Sequence, residues 1–183
     1  MRRALGVEMQ KGGEHALMGT HNFLLRLGEK LYLEVIAANP AAPHPGRPRW
    51  FQLDEPDSVR SPRLATWVAR CDDIYAAPKS LGTIVAMRRG NFEWLITIPE
   101  DGQLSLGGLV PALMEWRSSA HPADTLNDPG CSLLWLEGVH PEPAKVKQML
   151  KAIGFEGKFA VSRGNDPKLV AHIRTPGGER LLD

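Results

Sequence analysis

Thiols, long apolar runs and charge of a single sign are all scarce in this sequence, and each shortage closes off a class of function. Its two cysteines, Cys71 and Cys131, stand apart and form no CxxC pair. A zinc ribbon is therefore not expected, and reduced thiols in a cytoplasmic protein are. Neither cysteine has a histidine close by in sequence, so no thiol nucleophile is expected. No apolar run approaches the roughly 18 residues of a membrane-crossing helix. The opening MRRALGVEMQKGG carries two arginines but no apolar core of a secretory signal. Net charge is +1, so neither nucleic acid nor an anionic membrane is an expected partner. There is no P-loop and no GxGxxG ahead of a helix, so nucleotide binding is not indicated. The expected partner is a small molecule.

What remains is ordinary globular composition, 43% hydrophobic and 23% charged over 183 residues. That length can bury a sizeable core. Fifteen prolines and eighteen glycines predict many turns and short elements. One stretch concentrates chemistry. Gly12 to Ile36 holds His15, His21, Asn22 and Glu34, with Glu34 inside the apolar run 31–36. Burying a carboxylate there costs on the order of several kcal/mol unless it faces a cation, metal, ligand or donor.

The predicted elements follow in order. Arg2 to Val7 reads as the last turn of a helix ended by Gly6. Strands are predicted at 21–27 and 31–36 around Gly28-Glu29-Lys30. Four prolines within 39–48 make a stiff loop that delivers Arg49-Trp50-Phe51 to a surface or cleft. A strand at 64–69 and a helix at 72–81 ended by Gly82 come next. Strands at 83–88, 92–99 and 109–116 follow, with Pro111 arguing for an edge or bulge. A linker at 121–130 leads to a strand at 131–138. The apolar spacing of Val146, Met149, Leu150 and Ile153 predicts a helix at 142–153 stopped by Gly154. Strands at 159–162, 169–175 and 180–182 close the chain.

Leu5-Gly6, Leu81-Gly82 and Ile153-Gly154 each end a predicted helix, spaced by 76 and 72 residues. Strands follow each glycine. This predicts a repeated βαβββ unit: 1–62, whose opening strand and most of whose helix are missing, 63–130, and a degenerate 131–183. The fold class is α+β, with curved mixed sheets around a cleft. Glu34 and Glu115 fall at similar places in the first two units, and the third has Leu181-Leu182 there. The plain alternative is that both are strand glutamates paired with Arg26 and Arg117, or solvated.

The run GGEHALMGTHNFLLRLG and LYLEVIA, then RPRWFQLD, RLATWVAR, GLVPALMEW and His121-Pro122, resembles the glyoxalase-like domain family. That family is part of the vicinal oxygen chelate superfamily of glyoxalase I, extradiol dioxygenases and bleomycin-resistance proteins. The resemblance covers residues 1 to 130. It implies a divalent ion, nickel, zinc, iron or manganese, held by first- and last-strand residues and polarising a substrate oxygen while a carboxylate moves a proton. Carried onto this sequence, it makes Glu34 and Glu115 the catalytic and metal-ligating carboxylates, with His21 as a further ligand. The first-strand ligand of the second unit has no histidine here, only Thr66 and Trp67. The first strand of the first unit is absent, so the chain is expected to begin part-way into that unit.

The remaining candidates bind substrate: His21, Asn22, Arg49, Trp50, Phe51, Trp67 and Trp116. Aromatic walls suit a flat or apolar ligand, and Arg49 can clamp a carboxylate; ordinary core aromatics and a solvated arginine are the alternatives. Register decides among the polar ones. With a three-residue turn, Leu24 faces Glu34, and Asn22 and Arg26 share its side. With two or four, Leu25 faces Glu34, and His21 and Phe23 share it. The sequence leaves both open, and His21 is taken as the histidine near the cleft. His15 and His121 have plain readings as a loop residue and a turn cap. Two functions follow: a metal-dependent lyase, isomerase or dioxygenase relative, or a non-enzymatic binder of the resistance type. An open sheet edge also predicts a homodimer.

Overall fold

The computed structural model describes residues 1–56 and 62–183. Among them are eleven strands and two α-helices in three sheets, an α+β arrangement. The chain opens on one helical turn, α1 (Arg2–Leu5), closed by Gly6 in the left-handed conformation, as the Leu5-Gly6 pair predicts. A meander follows: β1 (Gln10–His15), β2 (Thr20–Gly28) and β3 (Leu31–Ala38). The sequence hides β1, because Lys11-Gly12-Gly13-Glu14 has no apolar alternation. It pairs with β2 through a bulge between Lys11 and Glu14.

The β2–β3 turn has two residues, since Gly28 pairs with Leu31. A bulge at Leu27 then shifts the register, and Leu24 lies opposite Glu34. The hairpin therefore pairs as a three-residue turn would. A single extra residue in one strand is enough for that.

The second sheet has the order β4-β7-β6-β5. It is built from β4 (Val68–Arg70), β5 (Thr83–Arg89), β6 (Phe92–Ile98) and β7 (Ala112–Trp116). Two expectations change here. The helix predicted at 72–81 is instead two 3₁₀ turns, Ile74–Ala76 and Lys79–Leu81. Pro78 splits it: Ala77, held extended at φ −62 and ψ 140, shows the constraint a proline puts on the residue before it. The strand predicted at 64–69 shrinks to Val68–Arg70. Its parallel partner begins only at Ala112, opposite Val68, directly after Pro111, which has no N–H to give.

The third sheet, β11-β10-β8-β9, uses β8 (Ser132–His140), β9 (Phe159–Arg163), β10 (Lys168–Thr175) and β11 (Gly178–Leu182). Helix α2 (Pro143–Ala152) buries Val146 and Leu150, the face its spacing predicts. The elements run strand, helix and three strands, but the strand order does not repeat that of the second sheet. Here the first strand pairs with the second and third, whereas among the described residues β4 pairs with β7 alone. Strand order is set by non-local pairing, which periodicity along the chain does not encode.

Three clusters hold the sheets together. The third sheet's Ala171 and Ile173 pack on Leu5, Leu25 and Leu27. Val146 and Leu150 of α2 pack on Leu109, Leu113 and Ile74. Between the first two sheets lie Met18, Trp50, Met87, Trp94, Ile96 and Ile98, with Ile36, Met114 and Trp116 against them. The third sheet and α2 thus back the other two, whose remaining faces meet in a cleft. No described helix is long and apolar enough to cross a membrane.

Candidate functional site

Side chains of a strand alternate between its faces, and in β3 this sends Tyr32 and Glu34 to the cleft. The observed register places Asn22 on the same face. Its side-chain N–H donates to Glu34 Oε1 at 2.6 Å, and its Oδ1 accepts from the Gly13 backbone N–H at 2.8 Å. Asn22 therefore ties β1 to β3 while orienting the carboxylate. The glycines in the β1 bulge make room for this. A Cβ on Gly12 would sit 2.0 Å from Asn22 Oδ1, and one on Gly13 would sit 2.7 Å from Arg89 Cδ.

Arg89 ends β5 on the face that carries Met87, and its stem crosses Gly13 to reach His15. Its NH1 lies 3.1 Å from His15 Nε2. A guanidinium only donates, so Nε2 accepts and the imidazole proton sits on Nδ1, 3.1 Å from Thr20 Oγ1. Burial, and then the neighbouring Arg89 charge, pull the His15 pKa down to about 4. His15 is thus a neutral, fully committed group that fixes Arg89. Burial pushes the Glu34 pKa up, against the opposing pull of Asn22 and Arg89. Tyr32 is also raised, first by burial and then by the Glu34 charge.

The walls are aromatic. Trp50 and Trp94 present T-shaped contacts to His15, with centroids 5.1 and 6.1 Å away. Phe51 stacks on Trp50 at 5.1 Å, and Trp116 lies 5.7 Å from Trp94. Ile96 and Met114 complete the lining. Phe51 and the following Gln52 both have positive φ, 59° and 58°, a backbone state that non-glycine residues hold only under constraint. His121 packs behind, 5.0 Å from Trp116 and 5.6 Å from Tyr32. Its Nδ1 caps the turn at Ala123, the plain reading given above. The indole N–H groups of Trp50 and Trp94 are buried without a partner among the described residues, and the residues are only 3% and 4% exposed. Each such donor costs about 1–3 kcal/mol. The closed part of the cleft has room for about one water molecule.

The other sequence candidates divide. Trp50, Phe51, Trp116 and Glu34 line the cleft, and Asn22 holds Glu34. His21 pairs with Glu14 in β1 on the opposite face of β2 from Asn22, the consequence of the register. Arg49 does not reach the cleft. It bonds the Gly19 carbonyl at 3.3 Å and pairs with Asp54 at 2.5 Å, and so pins the loop that carries Trp50. Trp67 faces the other side of the second sheet, its indole N–H donating to the Leu109 carbonyl at 3.1 Å. Glu115 is turned away from Glu34, because alternation in β7 gives the cleft to Met114 and Trp116. It accepts from the Ile74 N–H at 2.9 Å and pairs with Arg117 at 3.1 Å.

The implied divalent ion does not fit these donors. Among the described residues no three His, Cys, Asp or Glu side chains converge. Glu34 has one oxygen on Asn22 and a guanidinium nearby, and both nitrogens of His15 are engaged. A dication beside Arg89 would meet a like charge. Tyr32, Arg89 and Trp94 were not singled out in the sequence. Arg89 has a visible signal, a charge at the end of the face Val85-Met87-Arg89.

The family model described as Glyoxalase-like domain matches residues 1–154. A hypothetical protein from Staphylococcus aureus has a solved crystal structure similar to this one, with a TM-score of 0.53. The two are 13% identical over 96% of this chain and 75% of that one, a likeness of fold alone. No curated protein matches the sequence.

Proposed function

We propose that this chain, which belongs to the glyoxalase-like domain family, binds a small organic molecule in the cleft between β3 and β5–β7. The observation that carries the reading is the convergence of Glu34 and Tyr32, His15 and Arg89 from three different strands onto one aromatic-walled cleft. A few oriented polar groups in an aromatic recess are what small-ligand sites are made of. A core that served only packing would gain by replacing Glu34 with an apolar residue. Of the two functions considered above, the donor arrangement favours binding without a metal held by this pair of glutamates.

A second reading rests on one specific observation. Glu34 Oε1 is held by Asn22, and its other oxygen has no partner among the described residues. A carboxylate oriented in this way and shifted upward in pKa by burial suits proton removal next to a carbonyl. That would make the protein a lyase or isomerase relative. The proton would pass from the substrate carbon to the Glu34 carboxylate, leaving an enolate.

Nuclear magnetic resonance of the indole N–H groups tests the first reading. Titration with benzoate, benzyl alcohol and benzylamine should shift the Trp50 and Trp94 signals saturably with at least one probe. If all three leave every indole unmoved, the cleft is not a ligand site. Phenylpyruvate incubated in deuterium oxide tests the second. Exchange at its methylene carbon that disappears in Glu34→Gln supports proton transfer, and exchange no faster than in buffer removes it.

A further inference from the structure

The Arg89 guanidinium and the rings of Trp50 and Trp94 surround His15. Arg89 reaches it directly at 3.1 Å, and its guanidinium is one end of a planar fork with further N–H groups. The Trp50 and Trp94 rings flank the same imidazole at 5.1 and 6.1 Å, and neither indole N–H has a partner among the described residues. His15 cannot serve them, since its only lone pair is taken by Arg89. Glu34 is the one carboxylate lining the cleft among the described residues, and Asn22 already holds one of its oxygens. The cleft is therefore rich in donors and short of acceptors, with Arg89 its one lining cation among the described residues. The rest of its wall is flat and apolar.

Resting on the reading of this cleft as a binding site, we infer that its ligand class is the small aromatic monocarboxylates. The carboxylate is held by Arg89 together with the indole N–H groups of Trp50 and Trp94, and the ring is packed between aromatic walls. An anionic group with two oxygens answers a guanidinium and two N–H donors at once. A neutral alcohol or amide satisfies fewer of them, and an ammonium none. Phe51 and Trp116 are half-buried wall residues, and a ring enters the small closed space only if they turn aside. Glu34 opposes the ligand's charge across the cleft, which makes a distinctive prediction. Neutralising it improves binding, whereas loss of a merely structural residue would weaken it.

Titration of the indole N–H signals with sodium benzoate, benzyl alcohol and benzylamine tests this, with Trp50→Phe and Trp94→Phe assigning the peaks. Benzoate is expected to move both assigned signals and to bind more tightly than benzyl alcohol. Arg89→Gln should weaken benzoate by about tenfold or more, the effect of one lost charge-assisted bond, and weaken it by more than it weakens benzyl alcohol. Glu34→Gln should tighten benzoate, a gain that a misfolded variant does not produce. If benzyl alcohol or benzylamine shifts the indoles and benzoate does not, the cleft is a site but the carboxylate assignment is wrong. Benzoate binding that is indifferent to Arg89→Gln, or weakened by Glu34→Gln, also overturns it. If no probe moves any indole and exchange with a trapped water accounts for the signals, both the assignment and the site reading fail.

Discussion

Protonating His15 should destabilise the fold, and the structure sets the size of the effect. In the folded chain the ring is neutral, with Nε2 accepting from Arg89 and Nδ1–H directed at Thr20. A second proton removes the Arg89 bond and sets an imidazolium against a guanidinium. The pKa falls from 6.5 to about 4, so the unfolded chain binds the proton first as pH drops. Stability from this group is complete above 6.5 and is lost as pH falls towards about 4. At 1.36 kcal/mol per unit the full loss is ~3 kcal/mol, a large share of the ~5–15 kcal/mol of a typical domain. Other groups titrate in the same window, so the measurement is a difference. Urea unfolding across this range is compared between the natural chain and His15→Gln, whose amide can still accept from Arg89 and donate to Thr20. The natural chain should lose ~3 kcal/mol more than the variant. Parallel curves, within about 0.5 kcal/mol, would refute a neutral, buried His15.

Three further outcomes follow from the same geometry. Asn22→Ala strands the Gly13 N–H and removes the Glu34 partner. It should cost about 2–4 kcal/mol by urea unfolding, and a loss under about 1 kcal/mol would mean that water replaces the clamp. Glu115→Ala loses its bonds to Ile74 and Arg117 and should cost about 1–2 kcal/mol while leaving the cleft indoles unshifted in their resonances. Movement of the Trp94 signal in that variant would put Glu115 back at the site. The outer edge of β3 carries no strand among the described residues, and Phe23 and Val35, paired across β2 and β3, are both exposed. Sedimentation should therefore show a dimer that Val35→Lys disrupts, and a monomer at every concentration would contradict it.

Much of the local structure was legible. Leu5-Gly6, the Gly-bounded strands and the spacing of Val146 and Leu150 each gave the correct element, because caps, alternation and helical period act over a few residues. Pro78 carried a readable warning against the helix at 72–81 that the aspartate start and Gly82 outweighed. The pairing of Glu34 with Glu115 failed for a reason of phase. The two contexts look alike in sequence, but a shift of one residue turns a strand side chain to the other face. Met114 and Trp116, not Glu115, hold the places that answer Tyr32 and Glu34.

The order of predicted strands and helices made this an α+β chain, its prolines and glycines made it rich in turns, and the apolar run around Glu34 alone marked a carboxylate that needed a partner. The family resemblance was carried by motif order, which is also a property of the linear chain. The identity of that partner was not in the chain. The bulge at Leu27 brought Asn22 rather than His21 to Glu34, and the glycines of β1 let Arg89 cross from another sheet to His15. Those are contacts between residues far apart in sequence. They depend on register and strand order, which are fixed only when all three sheets pack at once.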